Sequence, residues 1–363
     1  MTDTAMLTIE PIVVPASLDA DERGVIRAIE RIGNASALYD SGTSDLSETA
    51  EEILPMWQDT ADFVHVGFTA ARGGEFVGVG ILRMPAAGEL TAETDVWIDP
   101  PLWGQGIEDA LLEVIEDEAL RRGRTVLQTF TLHRPDTPGP RLESPTGFGS
   151  IPADDRQTRF FQDNGYALGQ VERNSAFDLR GSYDRVEQLL ADSLAAAGPD
   201  YRLHEWTTPT PDHLLEGFAR VRAKLSTDIP AGDLVIEEEV WDAARVRRRE
   251  ERFAAMGMIV SIAVVEHVPT GELVAYNDIG IVAAEADGPT HQFGTVVVKE
   301  HRGHRLGAVV KCANLLRWRE IAPRSTRIST FNAEENAHML AINIAIGFEP
   351  VSYAGAWKKV ITD

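Results

Sequence analysis

The chain has 363 residues, too many for one ordinary domain and enough for two that each bury a core. Its 57 acidic residues outnumber 34 Lys and Arg, and the formal net charge of -23 repels nucleic-acid phosphates and anionic lipid surfaces. The single Cys312 excludes an internal disulfide framework. The N-terminus has no signal-peptide pattern and no apolar run is long enough to span a bilayer. We therefore expect a cytoplasmic protein that binds neither nucleic acid nor membranes.

The chain carries the same order of elements twice, which indicates an internal repeat. Each copy opens with two apolar strand-like runs joined by a glycine turn, a pattern that predicts a hairpin. A strand, a glycine-bearing turn and a helix follow, and then another strand. Each copy then has a short helix before Gly165-Tyr166 or Gly347-Phe348, where we expect the glycine to end the helix in the left-handed conformation. The predicted strands are 63–68, 76–80, 95–98 and 125–130 in the first copy and 259–265, 273–276, 295–298 and 327–331 in the second.

Two segments lie outside the repeat. Residues 133–155 are rich in Pro, Gly and Asp, and we predict a surface loop inserted before the last helix of the first copy. Residues 182–197 predict an amphipathic helix with Val186, Leu189 and Leu190 on one face. We therefore expect an N-terminal domain over residues 1–183, a linker helix over 184–199 and a C-terminal domain over 200–363.

The strongest local signal is the turn before the helix of the second copy. Backbone N–H groups at a helix start lack internal partners and the helix dipole is positive there, so such a turn can bind phosphate. Arg302 and Arg305 could form charge-assisted hydrogen bonds to a pyrophosphate, and Gly303 and Gly307 would let the backbone approach it. The alternative is solvated charge at a helix start, which is unfavourable unless an anion binds there.

Residues 297–308 resemble the acetyl-CoA motif of the GNAT superfamily: Arg or Gln, two residues, Gly, one residue, then Gly or Ala. Arg302 and Gly307 match the first and last positions, whereas Arg305 stands where the family usually has Gly. Residues 336–348 resemble the family's last helix with its Gly-Phe ending. The doubled order of elements is similar to that of the tandem GNAT proteins of actinobacteria.

The resemblance implies an α/β (α+β) protein of two tandem GNAT folds. Each would be a mixed, mostly antiparallel sheet flanked by helices, with a splayed strand pair that receives an acyl-CoA. Acetyl-CoA would be the acyl donor, and a small-molecule primary amine would be the acceptor. The acidic composition of the protein favours a cationic acceptor. The implied cofactor-binding residues are Val296, Val297 and Val298 on the splayed strand, Arg302, Gly303, His304, Arg305, Leu306, Gly307 and Ala308 in the turn, and Asn332 and Asn336 across the cleft. The two asparagines are equally consistent with helix caps, which would not prevent contact with the cofactor.

The matching turn of the first copy departs from the motif. Trp103 stands where the family has Arg, and Glu108 stands where the last Gly or Ala is expected. A carboxylate beside a pyrophosphate would repel it. We predict that the first copy kept the fold and lost the cofactor site; the alternative is a second, weaker cofactor site.

The acid and base of the reaction are less clearly marked. Many GNAT enzymes have an acidic Tyr four residues before the Gly-Phe ending, and here that position is Asn343. Asn343 can hydrogen-bond the sulfur or the carbonyl but cannot donate a proton as an acid. His291 precedes the cofactor strand and titrates in the range of a base, and His338 and residues 237–239 are further candidates. Direct attack by a well-positioned amine is the alternative to a base.

The sequence favours an acetyl-CoA-dependent N-acyltransferase. It contains no metal-ligand spacing, phosphate loop or dinucleotide fingerprint. The alternative from another class is a non-catalytic CoA-binding sensor or scaffold that retains the fold. The sequence indicates no oligomeric state.

Overall fold

The computed structural model describes residues 6–88 and 90–361. The chain divides into two compact units. The N-unit comprises Met1–Glu172, Gly232–Val235 and Ser352–Asp363, and the C-unit comprises Arg173–Ala231 and Ile236–Val351. The domain boundaries predicted from the sequence remain a prediction.

The elements of the first sequence copy follow the predicted order. They are β1 (Leu7–Pro11), α1 (Val25–Ser41), α2 (Ala50–Gln58), β2 (Phe63–Arg72), β3 (Glu75–Pro85), β4 (Thr91–Ile98), α3 (Ile107–Arg121), β5 (Val126–His133), β6 (Arg141–Glu143), β7 (Ser150–Pro152), α4 (Arg156–Asp163) and β8 (Ala167–Asp178).

The second copy repeats this order. The helix α5 (Asp184–Ala197) precedes it. The elements of the second copy are β9 (Tyr201–Thr207), α6 (Asp212–Ala223), α7 (Leu225–Asp228), α8 (Ala243–Ala255), β10 (Met258–His267), β11 (Glu272–Val282), β12 (Thr290–Val297), α9 (Leu306–Ile321), β13 (Arg327–Ala333), α10 (Ala337–Ile346) and β14 (Glu349–Val360).

Each unit contains a mixed, mostly antiparallel sheet, as predicted. In the N-unit the strand order is β1-β2-β3-β4-β5, and residues 353–360 of β14 pair antiparallel with β5. In the C-unit the order is β9-β10-β11-β12-β13. The pairs β4–β5 and β12–β13 are parallel.

Helices pack on both faces of the N-unit sheet because their apolar residues recur at helical spacing. Ile26 and Ile29 of α1 form one core with Trp57 of α2 and Val79 of β3. On the other face, α3 lies so close to β3 that a Cβ at Gly80 would stand 2.5 Å from the Ile115 side chain. A glycine at this strand position therefore permits the close packing of helix and sheet.

Residues 133–155, predicted as a surface loop before the last helix of the first copy, do precede α4 but are more ordered than predicted. The segment contains the antiparallel pair β6–β7, and Ile151 is fully buried in the N-unit core. Both ends of the segment are also tied down, because the buried His133 ring contacts Asp155 and the Thr131 hydroxyl. One apolar residue and these polar contacts fold a segment whose composition is typical of loops.

The predicted amphipathic helix is α5. Its residue Val186 is fully buried, and Leu189 and Leu190 pack beside it against the C-unit core, which includes Leu315 and Trp318 of α9. Within residues 6–88 and 90–361, no helix is long and apolar enough to cross a membrane.

Candidate functional site

The C-unit contains a cleft between two strands that start together and then part. The parallel strands β12 and β13 pair at Thr290–Ile328 and His291–Ser329, and their register extends no further. The other edge of β12 remains paired with β11 as far as Val297. The backbone edge that faces β13 is therefore free to bond an extended ligand.

A β-bulge marks the closed end of this cleft. The register between β11 and β12 passes from Asp278–Gly294 to Ile279–Gln292, so Phe293 has no opposing residue on β11. In the N-unit, β3 and β4 pair without such a shift. The C-unit thus offers additional free backbone at the point where its two strands separate.

The turn after β12 presents an open set of backbone donors. The N–H groups of Ala308 and Val309 both bond the Arg305 carbonyl, at 3.0 and 3.1 Å. The N–H groups of residues 303–307 donate to no atom of the described part of the chain. Because they lie at the N-terminus of the 16-residue helix α9, they form a place for an anion.

Arg305 stands in this turn in a strained conformation. Its φ of 58° and ψ of 17° place it in the left-handed region, where it is the N-cap of α9. The corresponding N-cap of α3 in the N-unit is Gly106, at φ 78°. The Arg305 side chain is exposed and has no ion pair with any residue that the structure describes. A strained cation at the positive end of a helix indicates that an anion is expected there.

Arg302 is held differently. Its Nη2 donates to the Asp228 carbonyl at 3.0 Å and lies 3.4 Å from the Asp228 carboxylate, and its Nε donates to the Val297 carbonyl at 3.2 Å. Its side chain remains about half exposed. Arg302 therefore joins the end of α7 to the end of β12, a link that the sequence did not reveal because Asp228 lies 74 positions away.

The remaining residues of the turn after β12 pack it against the rest of the C-unit. Leu306 and Ala308 are buried, and a Cβ at Gly307 would stand 3.0 Å from the Ile342 side chain of α10. His304 is exposed, with its ring 5.1 Å from that of Tyr201. Val296 is buried, and the half-buried Val297 and Val298 continue the strand into the turn.

Replacing Arg305 with Gly is expected to raise the stability of the free protein by about 0.5–1 kcal/mol, since the left-handed conformation costs a side chain more than glycine. The same change should weaken acetyl-CoA binding, because it removes a cation from the turn. Thermal unfolding and calorimetric titration measure the two effects. The matched control is His304→Gly, one residue earlier and outside the left-handed region, which should bring no gain in stability. A less stable Arg305→Gly variant would contradict the strain argument.

In the N-unit the equivalent turn is closed by its own side chain. The Gly104 N–H donates to Glu108 Oε1 at 2.7 Å, and Glu108 is 4% exposed. Trp103 packs edge-on against Phe160 at 5.5 Å, so it is part of the N-unit packing. A carboxylate thus stands in the N-unit turn and occupies one of its donors, the Gly104 N–H, whose C-unit counterpart at Gly303 has no bonding partner among the described residues.

The three predicted asparagines have distinct places. Asn336 is the N-cap of α10 and accepts from the Met339 N–H at 3.3 Å. Asn343 is 1% exposed, and its Nδ2 donates to Asn332 Oδ1 at 2.7 Å across from β13. The buried Asn343 Oδ1 has no partner in the described chain. An orphaned acceptor here suits an N–H group of a bound ligand.

The base candidates are spread over the C-unit. His291 lies at the start of β12, opposite Gly280, where the cleft is still closed. His338 is exposed on α10. The Glu239 carboxylate already accepts from Trp241 Nε1 at 2.9 Å and pairs with Arg245 at 2.8 Å. None of these residues is brought together with the open turn, from which His291 is separated by the length of β12.

A charged cluster beside the bulge was not found from the sequence. Arg222 and Arg249 both donate to Asp278 Oδ2, at 2.8 and 2.7 Å, and all three side chains are buried. Burial raises the pKa of the neighbouring Tyr276 to about 12, so its hydroxyl is neutral at ordinary pH. A Cβ at Gly294 would stand 2.8 Å from that hydroxyl, so the glycine makes room for it. Its residues come from α6, α8 and β11, which are distant in sequence, so no local sequence pattern predicts the cluster.

Comparison with known proteins supports the fold. Residues 34–138 match the model of the acetyltransferase (GNAT) family. No curated protein sequence gives a significant match. A tandem GNAT protein from the clavulanic acid biosynthesis pathway, solved without AcCoA, is 22% identical with a TM-score of 0.74, over 99% of this chain and 100% of that one. A GCN5-related N-acetyltransferase from Sphaerobacter thermophilus is 13% identical with a TM-score of 0.61, over 98% and 96% of the two chains.

The chain therefore has the tandem GNAT fold. Within it, residues 34–138 are similar to the acetyltransferase (GNAT) family. The matched segment lies in the first sequence copy, whose turn is closed by Glu108, so the match does not itself indicate which copy holds a cofactor. The tandem fold and the family match over residues 34–138 together support acyl transfer as the general chemistry.

Proposed function

We propose that the protein transfers an acetyl group from acetyl-CoA to the primary amine of a small molecule, with the cofactor bound in the C-unit. The observation that carries this proposal is the contrast between two equivalent turns. Among the described residues, the C-unit turn has free N–H groups and an unpaired Arg305, whereas the N-unit turn bonds its own Glu108. An anion such as the pyrophosphate of CoA fits the first and is excluded from the second.

The proposed cofactor site extends from this turn along the cleft. The turn would bind the pyrophosphate through the N–H groups of residues 303–307 with Arg302 and Arg305. The free edge of β12 would bond the amides of the pantetheine arm, and the orphaned Asn343 Oδ1 and its partner Asn332 would face the arm from the other side. To the cofactor residues expected from the sequence, this proposal adds the free backbone edge of β12 and the side chain of Asn343.

The chemistry requires a deprotonated amine, a polarised thioester carbonyl and a stabilised leaving thiolate. Phe293 of β12 has no opposing residue on β11, so its backbone could polarise the thioester carbonyl near the closed end of the cleft. His291 would serve as the base, and Asn343 would orient the arm without giving up a proton. Direct attack by a held amine supplies the rest through positioning.

A panel of small primary amines tests this proposal. Polyamines, aminoglycosides and amino acids would each be incubated with acetyl-CoA, and the released CoA thiol and the acetylated product would be measured. We expect at least one amine to raise thiol release above the amine-free rate. Binding of acetyl-CoA without transfer to any amine would favour the alternative of a CoA-binding sensor. Absence of both binding and transfer would leave a scaffold.

A further inference from the structure

A chain of three polar side chains crosses the C-unit cleft where its strands part. The Lys311 Nζ of α9 donates to Gln292 Oε1 at 2.8 Å, and Gln292 Nε2 donates to Thr330 Oγ1 at 2.7 Å. Gln292 and Thr330 directly follow the last paired residues, His291 and Ser329. The chain therefore spans β12 and β13 at the closed end of the cleft.

The chain ends on a donor that is still available. The Thr330 hydroxyl accepts from Gln292 and donates to no atom of the described residues, and Thr330 is 5% exposed. Hydrogen bonds in series polarise one another, so a cation at one end strengthens the donor at the other. The free O–H of Thr330 is therefore a stronger donor than an isolated hydroxyl.

The amine at the other end is buried without an anionic partner among the described residues. Lys311 is fully buried, and its Nζ lies 5.0 Å from the centre of the Phe348 ring. It has no ion pair with a carboxylate of the described chain, and burial lowers its pKa to about 7. The neighbouring Cys312 acts on this pKa in the opposite direction to burial. A negative charge that forms nearby would stabilise the protonated form of this buried amine, and the ammonium would in turn stabilise that charge.

The expected ligand brings such a charge to this point. With its phosphates in the turn after β12, the pantetheine arm would run back along the free edge of β12. Its sulfur would then point toward the closed end of the cleft, where Gln292, the unopposed Phe293 and Thr330 lie. Expulsion of the thiol leaves negative charge on that sulfur.

We infer that Lys311, Gln292 and Thr330 form a relay that stabilises the departing CoA thiolate, with Thr330 as the group that touches sulfur and Lys311 and Gln292 as positioning residues. The inference rests on the proposed function. It supplies a hydroxyl hydrogen-bond donor to the leaving sulfur, which the last helix lacks because Asn343 stands at the position of the tyrosine. In the step, the amine nitrogen bonds the carbonyl carbon, the C–S bond breaks, and its electron pair goes to sulfur. The thiolate accepts a hydrogen bond from Thr330, and the proton lost by the amine passes to His291, the proposed base, and from there to solvent.

The test uses CoA itself, so it needs no acceptor. The thiol pKa of CoA bound to the whole protein would be followed through the ultraviolet absorbance of the thiolate. We expect a bound thiol pKa below that of free CoA in the wild type. Thr330→Val, which keeps the side-chain shape without the hydroxyl, and Lys311→Met should each raise it by about one unit or more, a tenfold change in thiolate stabilisation. Thr330→Ser, which restores a hydroxyl, should keep the wild-type value.

A CoA analogue without sulfur distinguishes damage to the binding site from a loss of thiolate stabilisation. Its affinity should be the same for the wild type and all three variants, because the relay acts on the sulfur alone. An unchanged thiol pKa in Thr330→Val, with the analogue still bound normally, would overturn the relay while the proposed cofactor site stands. Failure of the wild type to bind CoA would instead overturn the proposed function and the relay with it.

Discussion

Replacing both Arg302 and Arg305 with Ala is expected to weaken acetyl-CoA binding by roughly 100-fold, as two charge-assisted hydrogen bonds to phosphate are lost. Arg305 contributes because it has no other partner in the described chain, and Arg302 because its half-exposed guanidinium is only partly used by Asp228. Calorimetric titration measures both affinity and stoichiometry, which should be near one in the wild type.

The control for this double variant removes the same charge elsewhere on the C-unit. Arg319→Ala with Arg324→Ala deletes two exposed arginines whose partners are the exposed Glu187 and Asp287. This control should keep the wild-type affinity. Two wild-type sites, one of them untouched by the Arg302 and Arg305 changes, would show that the N-unit also binds the cofactor.

Exchanging the residues that distinguish the two turns should have an even larger effect. In Gly307→Glu, the new carboxylate can bond the turn N–H groups as Glu108 does in the N-unit, where the bond is 2.7 Å. It would also repel the pyrophosphate, so we expect acetyl-CoA binding to fall by more than about 100-fold. Titration of the variant with acetyl-CoA gives the loss directly.

Gly307→Gln is the matched control, because it adds the same bulk beside Ile342 without the charge. It should retain clearly more affinity than Gly307→Glu; equal losses would mean that crowding, and not the carboxylate, closes the turn. The reciprocal Glu108→Gly frees the N-unit donors and should add a second, weaker site, since Trp103 still stands where the C-unit has Arg302.

The parts of the fold that depend on neighbours in sequence were predictable. The hairpins β2–β3 and β10–β11 follow from glycine turns between apolar runs. The left-handed Gly347, at φ 111°, ends α10 as expected. The prediction that Glu108 is incompatible with a pyrophosphate came from charge alone, and the structure adds a direct bond from the carboxylate to the turn.

The parts that combine distant residues were not predictable from one sequence. Gln292 lies 19 positions from Lys311 and 38 from Thr330, and only the pairing of β12 with β13 brings them together. Each residue alone is unremarkable in its element: a helix lysine, a strand glutamine and a strand threonine. The motif did place Arg305, but it could not show that Arg305 adopts the conformation usually given to glycine.

The strand β14 has a consequence for the order in which the protein can be made. Its residues 353–360 pair with β5 in the N-unit sheet, although the ribosome synthesises them after the rest of the second copy. While the second copy is being translated, the edge of β5 (Val126–His133) has no such neighbour, and an open strand edge can pair with other chains. The N-unit, although it is synthesised first, therefore completes its sheet only after the second copy has been translated.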